Sequence, residues 1–278
     1  PDWRAEVRPT LTLNGQVISG PMSFRGIEVE SARSDLAYSD LTWRLPNLVA
    51  KRPEGEVRMA LRSHTGTQDF QIDFRSSIDP HAVTPALEEE KQKKGFDYFS
   101  FETPPGIEGR AWGRWRERER TAFRATVAAT NFTFRAQQVD RFTAGMSFGD
   151  GILGMTNAVV RRPEGEGSVE GLGFDTRTRR LSLTNAVGRL EPMAVAKAIG
   201  PKTARALEPY RFLEPPLASV NGWVQTGPGR NPADLRFVID GGAFRFSKFN
   251  SRDSDGEILW HGQTLTLPIL LPSFTAVN

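Results

Sequence analysis

Three histidines, His64, His81 and His261, are the side chains best suited to acid–base chemistry or metal binding in this chain of 278 residues. They stand far apart, with no His-x-x-His or His-Glu-x-x-His spacing to set two of them on one helix face. Cysteine is absent, which excludes disulfides, thiolate metal sites and a thiol nucleophile. No Gly-x-Ser-x-Gly elbow occurs. Gly149-Asp150-Gly151 lacks the lysine and helix of a phosphate loop, so Asp150-Gly151 is expected as a hairpin turn. Carboxylates number 33, but spacing places none of them as an acid–base pair. Trp43, Trp112, Trp223 and Trp260 would be the stacking platforms of a glycan-binding or glycan-cleaving protein, beside carboxylates about 5 to 10 Å apart. Three of the four fall where an internal copy carries a large apolar residue or another tryptophan, and they are assigned to a core or groove lining. These residues point away from an enzyme and away from a cofactor or metal.

The elements that would position any site repeat along the chain. The heptad Lys51-Arg52-Pro53-Glu54-Gly55-Glu56-Val57 returns as Arg161-Arg162-Pro163-Glu164-Gly165-Glu166-Gly167, 110 residues later, changed only at its two ends. Met22–Val57 aligns on Phe132–Gly167 without a gap, and a third copy begins at Phe244. The heptad is expected as a turn between strands, just after strand ends at Asn47 and Asn157. Val57, Met59 and Leu61, and then Phe70, Ile72 and Phe74, alternate as strands with one apolar face. Asn14-Gly15 is expected as a turn or bulge, and Arg114–Arg120 as an exposed hairpin tip. Asp79-Pro80 and Glu191-Pro192 start helices, because an acidic residue before proline suits a first helical turn. The expected fold is mainly β, an elongated, curled antiparallel sheet built from repeats of about 110 residues. A partial repeat spans 1–78, a second 79–190 with helix 80–94, and a third, incomplete at its end, 191–278 with helix 192–208.

Composition narrows the class. Thirty-six basic residues against 33 acidic give a net charge of +3, without the concentrated basic face of a nucleic-acid binder. Glycine (26) and proline (19) punctuate a strand-rich chain. No apolar run approaches the roughly 18 residues that span a membrane. The chain opens on Pro1, which suggests an excised segment whose membrane anchor lies elsewhere.

The segments 191–201 (EPMAVAKAIGP), 210–216 (YRFLEPP), 235–240 (LRFVID) and 258–267 (ILWHGQTLTL) resemble the AsmA-like superfamily, the TamB, YhdP and AsmA-type proteins of bacteria with two membranes. The resemblance runs through nearly the whole chain as texture and order. It implies a β-taco sheet, an inner-membrane anchor, a periplasmic place in the cell envelope and a role in outer-membrane lipid homeostasis, with no catalytic residues. The expected function is a groove that binds or conducts phospholipid or another acyl-chain lipid. It would be lined by Phe123, Val127, Phe132, Phe134 and Phe148, and continued by Leu235, Phe237, Ile239, Phe244, Phe246 and Trp260. A non-catalytic scaffold of closed sandwiches is the alternative; a glycan protein ranks third.

Overall fold

Val57, Met59 and Leu61 alternate with Arg58, Ala60 and Arg62. Successive side chains of an extended backbone point to opposite faces, so this period makes a strand with one apolar and one polar side. The computed structural model describes residues 7–87, 90–227, 232–246, 249–262 and 264–276. It is mainly β, with 66% of the chain in strands and short helices between them. Two units emerge, Pro1–Ala129 with Gly145–Asp150, and Thr130–Ala144 with Gly151–Asn278.

The first unit contains β1 (Leu13–Ser19), β2 (Met22–Phe24), β3 (Ile27–Val29), β4 (Ser31–Ser39), β5 (Thr42–Arg52), β6 (Gly55–His64) and β7 (Asp69–Ser76). It goes on with β8 (Phe99–Phe101), β9 (Gly106–Arg114) and the first part of β10 (Glu117–Phe134). Its antiparallel ladder runs β1, β4, β5, β6, β7, β9, β10. The short β2 and β3 pair only with each other, as a separate hairpin. Between β7 and β8 the chain leaves the sheet in a 3-10 turn (Pro80–Ala86) and α1 (Glu90–Phe96). Asp79 starts the turn by accepting a 2.9 Å hydrogen bond from the His81 N–H, which satisfies one of the orphan donors of a helix start.

The second unit holds the end of β10, most of β11 (Gln137–Gly149), β12 (Ile152–Arg162), β13 (Gly165–Asp175) and β14 (Arg180–Arg189). Then come α2 (Pro192–Ile199) and α3 (Pro201–Leu207), followed by β15 (Tyr210–Phe212), β16 (Leu217–Gln225) and β17 (Ala233–Asp240). It closes with β18 (Phe244–Phe246), β19 (Phe249–Gly262) and β20 (Thr264–Ala276). The antiparallel ladder is β12, β13, β14, β16, β17, β19, β20, with β15 and β18 added beside β19. Glu191 caps α2 by accepting from the Ala194 N–H. Gly200 and Pro201 separate α2 from α3, since Gly200 takes φ 154° and proline has no N–H to continue the ladder.

The twice-occurring heptad makes the same hairpin in both units. Arg52 pairs with Gly55 and Arg162 with Gly165, leaving Pro-Glu at each tip. An ion pair closes each tip, Arg52 to Glu54 at 2.6 Å and Arg162 to Glu164. Glycine follows for want of room. A Cβ on Gly55 would lie 2.2 Å from the Ser77 carbonyl oxygen, and one on Gly165 2.0 Å from that of Arg189.

Several expectations need correction. Asn14-Gly15 is neither turn nor bulge; it pairs in unbroken register with Ala37 and Leu36, because cross-strand pairing outweighs the local turn preference. Asn47 and Asn157 lie inside β5 and β12 and do not end them. Asn47 accompanies a register shift, and its side chain accepts from the Asp35 N–H (2.8 Å) and donates to the Asp35 carboxylate (3.0 Å). Asn157 and Asn185 each sit at φ 47°, a left-handed conformation that asparagine tolerates. In the Arg114–Arg120 stretch only Trp115 and Arg116 form the turn, and β10 already begins at Glu117. The aligned segments Met22–Phe24, Phe132–Phe134 and Phe244–Phe246 also differ: the first is β2, the second ends the long β10, and the third is β18.

Candidate functional site

In the first unit the registers line up apolar residues strand after strand. Leu45, Leu61, Ile72, Ala111 and Phe123 stand opposite one another across β5, β6, β7, β9 and β10. The next row is Leu48, Met59, Phe74, Gly109 and Ala125, and beyond it lie Val57, Ile107 and Val127. Phe148 stacks on Phe123 with ring centroids 6.2 Å apart. A sheet face this apolar is normally sealed by a second layer. Here Leu45, Leu48, Met59, Leu61, Ile72, Phe74, Ile107 and Phe123 are all only half-buried.

The second unit has a comparable face. Leu153, Phe174, Leu181, Val224 and Ala233 form one row, and Met155, Leu172, Leu183, Gly222, Leu235 and Trp260 the next. Val220, Phe237 and Ile258 follow, two residues further along their strands. Leu235 is buried at 6% exposure, but Met155, Leu172, Phe174, Leu181, Leu183, Phe237 and Trp260 are half-buried.

The fully buried apolar residues make a thin core. Among the described residues they include Tyr38, Ile78, Phe132, Val139, Leu235, six alanines and Pro105. Accessible surface totals 17653 Å². A globular monomer of 30.9 kDa exposes roughly 12,000 Å², and two separate globules of half that mass roughly 14,400 Å². The excess therefore persists when each unit is treated by itself.

The residues expected to line a groove divide into clusters. Phe123, Val127 and Phe148 belong to the first unit's apolar face. Leu235, Phe237 and Trp260 belong to the second's, with Ile239 opposite Ala218 and Gly256 at its end. Phe132 is buried and meets Phe142 edge-on at 6.5 Å, so it is a core residue. Phe134 lies under the Arg135 guanidinium at 5.8 Å, and Arg135 Nη1 donates 2.7 Å to the Ile199 carbonyl at the end of α2. Phe244 packs with Tyr210 (6.0 Å) and Phe212 (6.1 Å), apart from the Leu235–Trp260 rows. The side chain of Phe246 lies outside the described residues.

Two tryptophans depart from the expected lining. Trp43 packs against Tyr38 at 4.6 Å on the apolar side, but Trp112 stands opposite Gln71 on the polar side. Trp223 stands opposite Asp234, and the Arg180 guanidinium covers its ring at 4.1 Å. Sequence reasoning also left out Leu48, Met59 and Phe74, the centre of the first unit's face, although their alternation was the signal that could have found them. Trp115 was passed over inside a charged string. It stacks on Phe70 at 4.2 Å and donates from Nε1 to Ser63 Oγ at 2.8 Å.

His64 and His81 hold local structure, whereas His261 is exposed with Nδ1 3.6 Å from the Asp234 carboxylate. His64 Nδ1 accepts from the Thr67 N–H at 2.9 Å across the β6–β7 turn. His81 Nδ1 meets Asp79 at 2.7 Å and its Nε2 meets the Phe96 carbonyl at 2.9 Å, tying the 3-10 turn to α1. No group of three or more metal-binding side chains occurs among the described residues, and no described helix is long and apolar enough to cross a membrane.

The opposite face of the first unit carries charge. The Arg110 guanidinium, and then Gln71, hold the Asp73 carboxyl below its usual range. Hydrogen bonds from Thr67 and Arg114 do the same for Asp69, and Asp69 in turn raises Arg114. An open depression of about 560 Å³ takes in Leu48, Met59, Phe74 and Gly109 together with the neighbouring Arg58, Asp73, Arg75, Glu108 and Arg110. No family model, no curated protein and no solved structure matches the chain.

Proposed function

We propose that the apolar sheet faces hold lipid acyl chains, and that the protein is a lipid-binding or lipid-conducting groove segment of a bacterial envelope protein of the AsmA-like kind. It would hold or move phospholipid between the inner and outer membranes, in the periplasm, anchored through a part outside this chain. The observation that carries this reading is the pair of apolar faces, continuous over five or six strands and only half-buried. An acyl chain laid on such a face gains about 0.8 kcal/mol for each CH₂ removed from water, and sliding along it breaks no hydrogen bond. The bulges beside Asn47 and Asn185 bend their strands, the local device by which a sheet curls. The duplicated hairpins at Arg52 and Arg162 support a repeat of about 110 residues within that groove.

A fluorescent fatty acid that brightens in apolar surroundings tests the reading. Saturable brightening is expected, reduced when Met59→Asp and Phe74→Asp place charge on the first unit's face. A flat titration with folded protein would contradict it.

A further inference from the structure

The polar face of the first unit sets arginine directly against arginine three times. Arg44 stands opposite Arg62, Arg58 opposite Arg75, and Arg110 opposite Arg124. Because β6, β7, β9 and β10 hold their registers through these positions, all six lie on one side of the sheet, behind the apolar rows. Residues directly opposite on a ladder have Cβ atoms about 5 Å apart, and like charges placed there destabilise the sheet. Side-chain exposures of 64% for Arg58, 69% for Arg75 and 57% for Arg110 show that these groups face solvent. Three of them have carboxylate partners: Arg58 with Glu56, Arg75 with Glu108, and Arg110 with Asp73. Arg62 and Arg124 are exposed and close no ion pair with a carboxylate among the described residues, although the Arg62 charge is felt by Asp73. In the second unit Arg211 likewise stands opposite Arg245, while Arg161 with Glu166 and Asp175 with Arg180 are oppositions of unlike charge.

A sheet that tolerates three such conflicts on one face is stabilised by whatever brings negative charge to it. The geometry points to an anionic phospholipid bilayer as that partner, with phosphate headgroups settling on the forks of Arg62 and Arg124. Guanidinium pairs with phosphate in bidentate fashion, and each basic residue near an anionic leaflet strengthens attachment about fivefold. Trp112, 36% exposed on the same face, adds the amphipathic ring favoured at a membrane–water boundary. Nucleic acid fits less well. Asp73 and Glu108 interrupt the arginine rows, so a continuous phosphodiester strand would meet fixed negative charge, whereas separate headgroups need only the free arginines. This surface is distinct from the apolar one, and its test does not depend on acyl-chain binding.

The test compares co-sedimentation of the full chain with vesicles of phosphatidylcholine alone and of phosphatidylcholine mixed with phosphatidylglycerol. Binding is expected only to the mixed vesicles, and it is expected to fall as salt rises. Arg62→Gln with Arg124→Gln should weaken it roughly thirtyfold. The same double variant should unfold at a temperature no lower than the parent, since it removes two like-charge oppositions. Equal binding to both vesicle types, or unchanged binding by a folded double variant, would overturn the proposal. So would capture of single-stranded DNA in place of the anionic vesicles. The second readout keeps loss of binding separate from loss of fold.

Discussion

Met59 and Phe74 stand directly opposite each other on β6 and β7, at the centre of an apolar face, and neither is buried. Such a pair contributes to stability in proportion to the area it hides, which is less than at a fully buried position. Met59→Ala is therefore expected to cost about 1–2 kcal/mol, whereas Leu235→Ala, at a fully buried position, should cost about 2–4 kcal/mol. Urea unfolding of the two variants checks the contrast. Equal large losses would mean that the Met59 face is covered in solution.

The hairpin glycines are expected to be intolerant of any side chain. Gly55→Ala and Gly165→Ala each drive a Cβ into a carbonyl oxygen, and each should destabilise by about 1–3 kcal/mol. Gly15→Ala meets nothing within 4 Å and should be neutral or slightly stabilising. Thermal unfolding of the three variants separates close approach from mere backbone freedom.

Acid should weaken the fold through carboxylates held below their usual range. Arg110 lowers Asp73, and the backbone N–H groups of Thr178 and Arg177 lower Asp175. A depressed folded value stabilises above the unfolded value of about 3.9, and that contribution disappears as pH falls through the lower folded value. Stability is thus expected to hold from neutrality to about pH 5 and to decline below about pH 4. Denaturation curves across that range should show a shallower acid decline for Asp73→Asn.

The helical insertions depend on their acidic caps. Glu191→Ala leaves the Ala194 N–H without its acceptor, and Asp79→Ala does the same for His81. Each should cost about 1 kcal/mol. Hydrogen exchange should then quicken in α2 for the first variant and in the 3-10 turn for the second, with the β ladders unchanged.

How much of this was legible in sequence depends on the range of the physics involved. Val57, Met59 and Leu61 declared a strand and a face because parity is local. Glu191-Pro192 declared a helix start for the same reason. The pairing of Asn14-Gly15 with β4 was not legible, since a strand some twenty residues away overrides the turn preference. Asn157 read as a strand end, yet it sits left-handed within a strand, as Asn185 does, a choice made by the ladder on both sides. Phe132 and Phe123 looked equivalent, but one is buried against Phe142 and the other lies on the open face. That difference belongs to packing between strands. Trp112 and Trp223 could have been placed by parity alone, because each alternates with the small or apolar residues beside it.

Native mass spectrometry of the gently purified chain addresses the central claim most directly. Acyl-chain occupancy on the apolar faces predicts adducts with masses of phospholipids, retained at low collision energy and diminished by Met59→Asp with Phe74→Asp. A bare protein mass from folded material, unchanged after incubation with phospholipid, would contradict it.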